Sequence, residues 1–427
     1  MPGLRIALTN HGTRGDVQPL IAVGRELTRR GHTVVAAVPS GFAELVGRAG
    51  LEAVPLPADW RSFLTDSTAD RSWLFSGDRA ELLAGLRGVM AAHGEEIART
   101  MIGACGDADL VVSGALTEDV AAVVAEARGI PLALVHLFPV RRNGAWANPF
   151  VTGASSDDPA VNLATHAAYE QASWAASAPG VNRLRGALGL PETDLPTFAR
   201  VQQSGGVEIQ AYSANLVRGL DWTSDRPVVG WLQPDEATRR IMGEQGLDSE
   251  LEAWLAGGSA PGFFGFGSMP VADAGRVLGM IEDTAEALGI RAVVAAGWAE
   301  LPGDAVRDRS RVHVVPEADF SALFPRCAFA VHHGGAGTTG QSSYAGIPAL
   351  VASVMLDQAM WGSALARLGA GGHVPLRDLD AAALTDGVKH LLDADAAEAA
   401  ASLGRLVRAE ADPVSRTADI LEAHARS

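Results

Sequence analysis

Residues Val331–Thr339, with the sequence Val-His-His-Gly-Gly-Ala-Gly-Thr-Thr, decide which fold this chain is expected to adopt. The apolar run Phe329-Ala330-Val331 predicts a buried strand that ends in two histidines, and three glycines and a helical pattern follow. Free backbone N–H groups at the N-terminus of a helix stabilise an anion. The segment therefore favours a phosphate site over the alternative, a simple strand-to-helix turn. It is not a Walker loop, because no Gly-Lys-Ser or Gly-Lys-Thr follows the glycines.

Length and composition indicate a globular protein of two domains. The chain has 427 residues, of which 48% are hydrophobic and 20% are charged, and this length is long for a single core. Its formal net charge of −16 argues against broad contact with nucleic acid or with an anionic bilayer, since both would repel it. We therefore expect no nucleic-acid partner and no stable membrane insertion.

Cysteine usage and the N-terminus favour a cytoplasmic location. Cys105 and Cys327 are too few for a disulfide framework and lack the spacing of metal ligands. Leu4–Leu8 is strand-like and lacks the pattern of a signal peptide. No apolar run reaches the roughly 18 residues that span a bilayer. Nothing in the sequence indicates the oligomeric state.

Strand-like and helix-like patterns alternate in both halves of the chain, which is typical of parallel α/β sheets. In the first half, strands are predicted at 4–9, 33–38, 110–113 and 132–137. In the second half, strand patterns begin at 262–268 and continue at 293–296, 312–315, 329–332 and 349–352. The predicted fold class is therefore α/β, with two Rossmann-like, doubly wound parallel sheets whose domains face a cleft.

Two further motifs accompany the glycine-rich segment. Gly12–Pro19 (Gly-Thr-Arg-Gly-Asp-Val-Gln-Pro) lies near the N-terminus, and Ala345–Pro348 leads to the pair Asp357-Gln358. In order and spacing these motifs resemble those of GT-B glycosyltransferases of the family 1 type. This branch includes the antibiotic, macrolide and glycopeptide glycosyltransferases and the sterol glucosyltransferases.

The resemblance implies a GT-B arrangement of the two predicted domains. A change in composition around Asp221–Asp235 indicates the linker between them. The expected parts are an N-terminal acceptor-binding domain at 1–220, a linker at 221–238, a nucleotide-sugar-binding domain at 239–405 and a C-terminal segment at 406–427. The last segment would form a helix that could pack back on the N-terminal domain.

Asp16 is the first choice for the catalytic residue. It follows a predicted strand and starts a helix, so its side chain should project at the edge of the cleft. Sugar transfer to a hydroxyl needs a group that takes up the acceptor proton, and a positioned carboxylate does so; in the family motif the matching Asp is the proposed base. The plainer alternative is that Asp16 only caps the helix. His11 is a candidate helper, and Asp357 is the alternative catalytic carboxylate.

The resemblance also implies how the donor would be held. His332 and His333 should point to opposite faces of their strand, and alignment to the motif favours His333 as the pyrophosphate contact. The expected donor-binding residues are Ser268, Trp298, His333, Gly334, Gly335, Gly337, Thr338, Asp357 and Gln358. We expect no cofactor and no metal ion, because the Asp-x-Asp patterns at 107–109, 378–380 and 393–395 have the character of solvated turns or helix ends.

The acceptor side matches the family poorly. Irregular segments at 57–80 and 139–180 are rich in aromatic residues and favour a hydrophobic acceptor. The expected acceptor-binding residues are Trp73, Phe75, His136 and Trp146. On the donor side, Asp319–Ala322 replaces a Pro-His-Asp-Trp motif that is frequent in the family, which leaves the choice between TDP and UDP open.

The predicted function is that of an inverting glycosyltransferase. It would move a hexose or deoxyhexose from a nucleotide-diphosphate sugar (TDP or UDP) to a hydroxyl of a hydrophobic natural-product aglycone. The alternatives are a GT-B-fold nucleotide-sugar epimerase and a non-catalytic nucleotide-binding partner. A nicotinamide-dependent enzyme is disfavoured, because Gly12–Asp16 contains no Gly-x-Gly-x-x-Gly pattern. The identities of the sugar and aglycone, the glycosylated atom and any need for a helper protein remain open.

Overall fold

A computed structural model describes residues 3–57, 72–75, 79–152, 155–220, 222–244, 246–265, 274–297 and 306–426. Within these ranges the chain forms two six-stranded sheets in which every neighbouring pair of strands is parallel. The predicted donor residues Ser268 and Trp298 lie outside the described residues. In the described part of the chain, no helix has the length and apolar character needed to cross a membrane.

The first sheet has the strand order β3-β2-β1-β4-β5-β6. Its strands are β1 (Arg5–Thr9), β2 (Thr33–Pro39), β3 (Glu52–Leu56), β4 (Leu110–Gly114), β5 (Leu132–His136) and β6 (Val207–Gln210). The helices of this half are α1 (Arg14–Arg29), α2 (Ala43–Arg48), α3 (Ser72–Phe75), α4 (Arg79–Ala104), α5 (Glu118–Arg128), α6 (Pro159–Ala187) and α7 (Thr197–Gln203).

The second sheet has the strand order β12-β11-β10-β7-β8-β9. Its strands are β7 (Gly262–Gly265), β8 (Ala292–Ala295), β9 (Val312–Val315), β10 (Phe329–His332), β11 (Ala349–Ser353) and β12 (Gly371–Pro375). The helices of this half are α8 (Glu236–Ile241), α9 (Ser249–Ala256), α10 (Ala274–Leu288), α11 (Phe320–Leu323), α12 (Ala336–Ala345), α13 (Gln358–Arg367), α14 (Ala381–Leu391), α15 (Ala394–Arg408) and α16 (Pro413–His424).

Both sheets repeat one topology, and each predicted motif lies next to the reversal of strand order in its sheet. The strand order reverses between β1 and β4 in the first sheet and between β7 and β10 in the second. In open α/β sheets, ligands bind outside the carboxyl ends of the strands at such a reversal. The Asp16 motif follows β1 and the glycine-rich segment follows β10, so each motif lies at the binding edge of its sheet.

Each sheet is buried on both faces, which explains why its strands are almost continuously apolar. In β1, Ile6 and Leu8 belong to one core cluster and Ala7 to the cluster on the opposite face. In β7, Phe263 and Phe264 likewise face opposite sides. The helices pack on these faces and leave the carboxyl ends of the strands free for the site.

The chain passes between the domains twice. After β6, Val229, Leu232 and Met242 still pack in the core of the first domain, whereas Leu251 of α9 packs in the second. The first crossing therefore lies at residues 243–248. After α15 the chain returns: α16 contacts α1, and its residue Leu421 joins the core of the first domain.

Polar contacts fasten the returning helix α16 to the first domain. Arg30, at the end of α1, donates to Glu422 Oε2 at 2.9 Å and to Asp419 Oδ1 at 2.6 Å. His32 Nε2 lies 2.6 Å from Glu422 Oε1. At the second crossing, Asn215 Nδ2 donates to Glu410 Oε1 at 2.9 Å. The N-terminal domain is thus assembled from both ends of the chain.

Candidate active site

The turn from β1 into α1 holds Asp16 in a fixed orientation. Asp16 Oδ2 accepts a hydrogen bond from Thr13 N at 2.8 Å and from Thr13 Oγ1 at 3.2 Å. Asn10 Nδ2 donates to the Asp16 carbonyl oxygen at 2.7 Å. Gly12 has a φ of +125°, and a Cβ there would overlap the Asp16 carboxyl group. The turn therefore requires glycine at position 12 so that the carboxylate can fold back over it.

Asp357 lies in the second domain, after β11, and is the N-cap of α13. Its Oδ2 accepts a hydrogen bond from Trp361 Nε1 at 2.6 Å. The preceding residue, Leu356, has a φ of +53°, and it is the only non-glycine residue with a positive φ in the described part of the chain. Such backbone strain persists only where the surroundings enforce it. Here the strained residue directly precedes Asp357.

The pKa values of Asp16 and Asp357 indicate that the two carboxyl groups lie in one site. Burial raises the pKa of Asp16 to about 6. Burial also raises the pKa of Asp357 to about 7, and the negative charge of Asp16 contributes to that rise. Two carboxylates from opposite domains therefore interact across the cleft, although each keeps some contact with solvent. Asp357 is therefore the more readily protonated member of the pair and Asp16 the more readily ionised one.

The glycine-rich loop is shaped to expose the N-terminus of α12. Gly334 has a φ of +89°, and a Cβ there would overlap Val351 Cγ1 and lie 3.0 Å from the Gln358 carbonyl oxygen. Gly335 is the N-cap of α12. A Cβ at Gly337 would meet no heavy atom within 4 Å. Gly334 thus lets the loop pass close to the start of α13, and Gly337 leaves open space in the first turn of α12.

Both histidines of this loop are uncharged at neutral pH. His332 has 0% exposure, and burial lowers its pKa to about 3. Its Nδ1 accepts from Gly334 N at 3.0 Å, and its Nε2 has no partner among the described residues. Burial lowers the pKa of His333, which is partly exposed, to about 4. His333 can therefore offer a phosphate one N–H group, but no positive charge.

Three other predicted site residues have defined surroundings. His11 is fully buried, and its Nε2 donates to the Pro57 carbonyl oxygen at 3.1 Å. Thr338 is partly exposed in the first turn of α12. Gln358 Oε1 accepts from Val354 N at 2.7 Å and from Met355 N at 2.9 Å. The oxygen of Gln358, a residue that is 5% exposed, therefore holds the loop in front of Asp357.

Two of the predicted acceptor residues are buried and have partners of their own. His136 is 1% exposed, and its Nε2 lies 3.4 Å from Glu118 Oε2. Trp146 is 2% exposed and donates from Nε1 to the Arg218 carbonyl oxygen at 2.8 Å. The guanidinium group of Arg367, from the second domain, lies 4.5 Å from the centroid of the Trp146 ring. His136 thus belongs to a buried polar cluster and Trp146 to the packing between domains.

The remaining acceptor predictions fall on α3. Trp73 is partly exposed and its indole ring packs on Gly85 of α4, where a Cβ would overlap it. The backbone of Phe75 belongs to α3, but its side chain lies outside the described part of the structure.

Sequence inspection missed the residues that hold the carboxyl groups in place. Trp361 lies four positions after Asp357 on one helix, a spacing that brings side chains together and could have revealed the pair. Asn10 gives no such signal, because its bond to Asp16 depends on the course of the turn. Among the described residues, no cluster of three or more His, Cys, Asp or Glu side chains is placed to hold a metal ion.

Two doubly wound domains, each with a motif at the binding edge of its sheet, have the architecture of the GT-B class. Residues 6–146 match the glycosyltransferase family 28 N-terminal domain. Residues 289–420 match the erythromycin biosynthesis protein CIII-like, C-terminal domain. The chain belongs to the GT-B glycosyltransferases of the family 1 type, within the antibiotic and macrolide branch, and it is a transferase. The predicted family, fold class and enzyme class are confirmed.

Individual proteins agree with this assignment. The chain is 34% identical over 426 residues to an uncharacterized glycosyltransferase of Mycobacterium tuberculosis, and the match covers 99% of both chains. It is 32% identical over 419 residues to O-mycaminosyltylonolide 6-deoxyallosyltransferase of Streptomyces fradiae, covering 95% of this chain and 94% of that one.

Solved structures share the whole fold. The glycosyltransferase of kitacinnamycin superposes with a TM-score of 0.74 at 20% identity and full coverage of both chains. The glycosyltransferase VinC, solved in complex with dTDP, superposes with a TM-score of 0.67 at 17% identity, covering 99% of this chain and 100% of that one.

Proposed function

We propose that the protein transfers a hexose or deoxyhexose from a TDP- or UDP-sugar to a hydroxyl of a hydrophobic natural-product aglycone, with inversion at the anomeric carbon. The observation that carries this proposal is the pairing of Asp16 and Asp357 across the cleft, beside the open N-terminus of α12. The names of two similar proteins support the donor class: one is a 6-deoxyallosyltransferase, and the other was solved with dTDP.

In the proposed mechanism Asp16 is the general base. It is ionised above about pH 6, and both bonds from Thr13 go to Oδ2, so Oδ1 is left to accept the acceptor proton. The acceptor oxygen attacks C1 of the sugar from the face opposite the nucleotide. The bond from C1 to the phosphate oxygen breaks at the same time, and its electron pair leaves with the nucleoside diphosphate.

The second domain would stabilise the leaving group without a metal ion or cofactor. The N–H groups at the start of α12 and the N–H group of neutral His333 would face the phosphate oxygens, where negative charge grows in the transition state. Asp357, which keeps its proton up to about pH 7, can donate a hydrogen bond to the donor. The Gln358 NH₂ group would contact the sugar hydroxyls.

Calorimetric titration of UDP and TDP without metal tests the donor half of this proposal. We expect one nucleotide to bind, and His333→Ala to weaken that binding about tenfold, since one hydrogen bond to a charged group is lost. His390→Ala serves as the control, because His390 is an exposed histidine of the same domain that pairs with Asp393. Failure of the wild-type protein to bind either nucleotide would contradict the phosphate site.

The two alternative functions have their own readouts. An epimerase would convert the nucleotide sugar in the absence of any acceptor, and a non-catalytic partner would bind nucleotide without consuming the sugar. Incubating the donor with and without candidate aglycones, and following the sugar by NMR, separates all three. The coupling constant of the anomeric proton in the product reports whether the configuration has inverted.

A further inference from the structure

The first crossing between the domains is attached to the helix that carries Asp16. Gln18 Nε2 donates to Glu244 Oε1 at 2.8 Å. An Arg14 guanidinium nitrogen lies 3.6 Å from the same oxygen and donates to the Met242 carbonyl oxygen at 3.3 Å. Arg14 and Gln18 flank Asp16 by two residues on either side, so α1 is held to the crossing at the turn that bears the carboxylate.

The same crossing is attached to the second domain. Gly246 N donates to Asp319 Oδ2 at 3.1 Å. Asp319 is the N-cap of α11 and accepts from Ser321 N at 3.0 Å. Phe320, the first residue of α11, packs against the core of the second domain. Met242, Glu244 and Gly246 therefore connect the start of α1 to the binding edge of the second sheet through hydrogen bonds to side chains of both domains.

Glu244 is the residue on which this connection depends. Its side chain is only 20% exposed, and burial raises the pKa of its carboxyl group. The charged groups that face it are Arg14 and Arg239, which favour its ionised form, and Asp319, which opposes it. Hydrogen bonds to a partly buried carboxylate define its position closely.

We propose that Glu244 is a positioning residue that sets where Asp16 stands relative to Asp357 and the donor. This inference rests on the proposed role of Asp16 as the base. Loss of the Glu244 carboxylate removes the Gln18 hydrogen bond and the Arg14 ion pair, so that the bond from Arg14 to the Met242 carbonyl oxygen is left at this end of the crossing. A displacement of about 1 Å at a reacting group is enough to slow catalysis up to about a hundredfold. We expect donor binding to change little, because the side-chain contacts of Glu244 are with Gln18 and Arg14 of the first domain.

The test compares Glu244→Ala with Glu244→Gln. Glu244→Ala should lower kcat roughly 10- to 100-fold with the nucleotide Kd unchanged. In the pH profile of Glu244→Ala, the loss of activity on the acid side (the acid limb) should move to lower pH. The reason is that water gains access to Asp16, and the raised pKa of the Asp16 carboxyl group then falls. Glu244→Gln keeps an oxygen for Gln18 and should restore most of kcat. Glu252→Ala is the control, since Glu252 is half exposed and pairs with Arg326.

Three outcomes would overturn the inference. They are an unchanged kcat and acid limb in Glu244→Ala, a defect confined to nucleotide binding, and a fall in thermal stability with kcat intact. A double-mutant cycle with Gln18→Ala should be strongly non-additive, because both changes break one bond. The variant Asp16→Asn separates this inference from the proposed function. Full turnover of Asp16→Asn contradicts the role of Asp16 as the general base. An inactive Asp16→Asn together with normal turnover of Glu244→Ala contradicts only the positioning role of Glu244.

Discussion

Replacing Asp16 with Asn should make the enzyme slower and its folded state more stable. Removal of a general base lowers turnover by about 10²- to 10⁴-fold, which corresponds to roughly 3–5 kcal/mol of transition-state stabilisation. Nucleotide affinity should stay the same, because Asp16 belongs to the domain that does not hold the donor. Asn can still accept the Thr13 N–H bond, so the helix cap is largely kept.

The gain in stability follows from the raised pKa of Asp16. The pKa is 3.8 for an unperturbed Asp and about 6 in the folded protein. Keeping this carboxylate ionised in the folded state at pH 8 therefore costs up to about 3 kcal/mol, and the partial exposure of the group makes this an upper limit. Because the folded state binds the proton more tightly, the penalty is full above pH 6 and shrinks as pH falls toward 4. Asp16→Asn removes it.

Turnover, calorimetric nucleotide binding and thermal unfolding at pH 8 and pH 5 together check this prediction. The stability gain should be about half as large at pH 5 as at pH 8. Asp380→Asn is the matched control, because Asp380 caps α14 through Ala383 N at 2.8 Å, far from the cleft; it should change neither activity nor stability. A variant Asp16→Asn with normal turnover, or with stability lost in step with activity, would refute the reasoning and leave Asp16 as a cap.

Further predictions concern the pH profile, the glycine loop and metal ions. The value of kcat/KM should fall below about pH 6 as Asp16 is protonated. Asp357→Asn should not change the pH at which this fall occurs, because Asp357 is already neutral there. A shift of the fall in that variant would assign the base to Asp357. Gly334→Ala should lower the free energy of unfolding by at least about 2 kcal/mol, through the positive φ and the overlap with Val351, as measured by denaturant titration. Gly337→Ala should keep full stability but weaken nucleotide binding about tenfold by calorimetry, since its methyl group enters the open space at α12. Turnover should persist in excess chelator, and activity that disappears and returns with added Mg²⁺ would contradict the metal-free mechanism.

The fold was predictable because the strands of a doubly wound sheet are buried on both faces. Continuous apolar runs such as Phe329–Val331 stand out from the amphipathic helices around them. The positions of Asp16 and Asp357 at the binding edges followed from motifs at strand ends. The effect of the Asp16 charge on the pKa of Asp357 was not predictable from the sequence, because it depends on how closely the two domains approach each other.

Contacts that come from distant parts of the chain could not be predicted from the sequence. His136 ends β5 as expected, but its partner Glu118 comes from the helix α5 and its neighbour Gln210 from the adjacent strand β6. The predicted linker at 221–238 includes Leu232, whose packing in the first core depends on surfaces far away in sequence. Aromatic residues in irregular segments indicated an acceptor surface, yet Trp146 packs between the domains.

The return of α16 determines the order in which the domains can be completed during protein synthesis. Domains generally fold as units while the chain emerges from the ribosome, with N-terminal parts first. Here all six strands of the second sheet lie between residues 262 and 375, so the second domain can fold while α16 is still being made. The first domain has to wait for Ala418 and Leu421, which fill its core. The half of the enzyme that is translated first is therefore the half that is finished last.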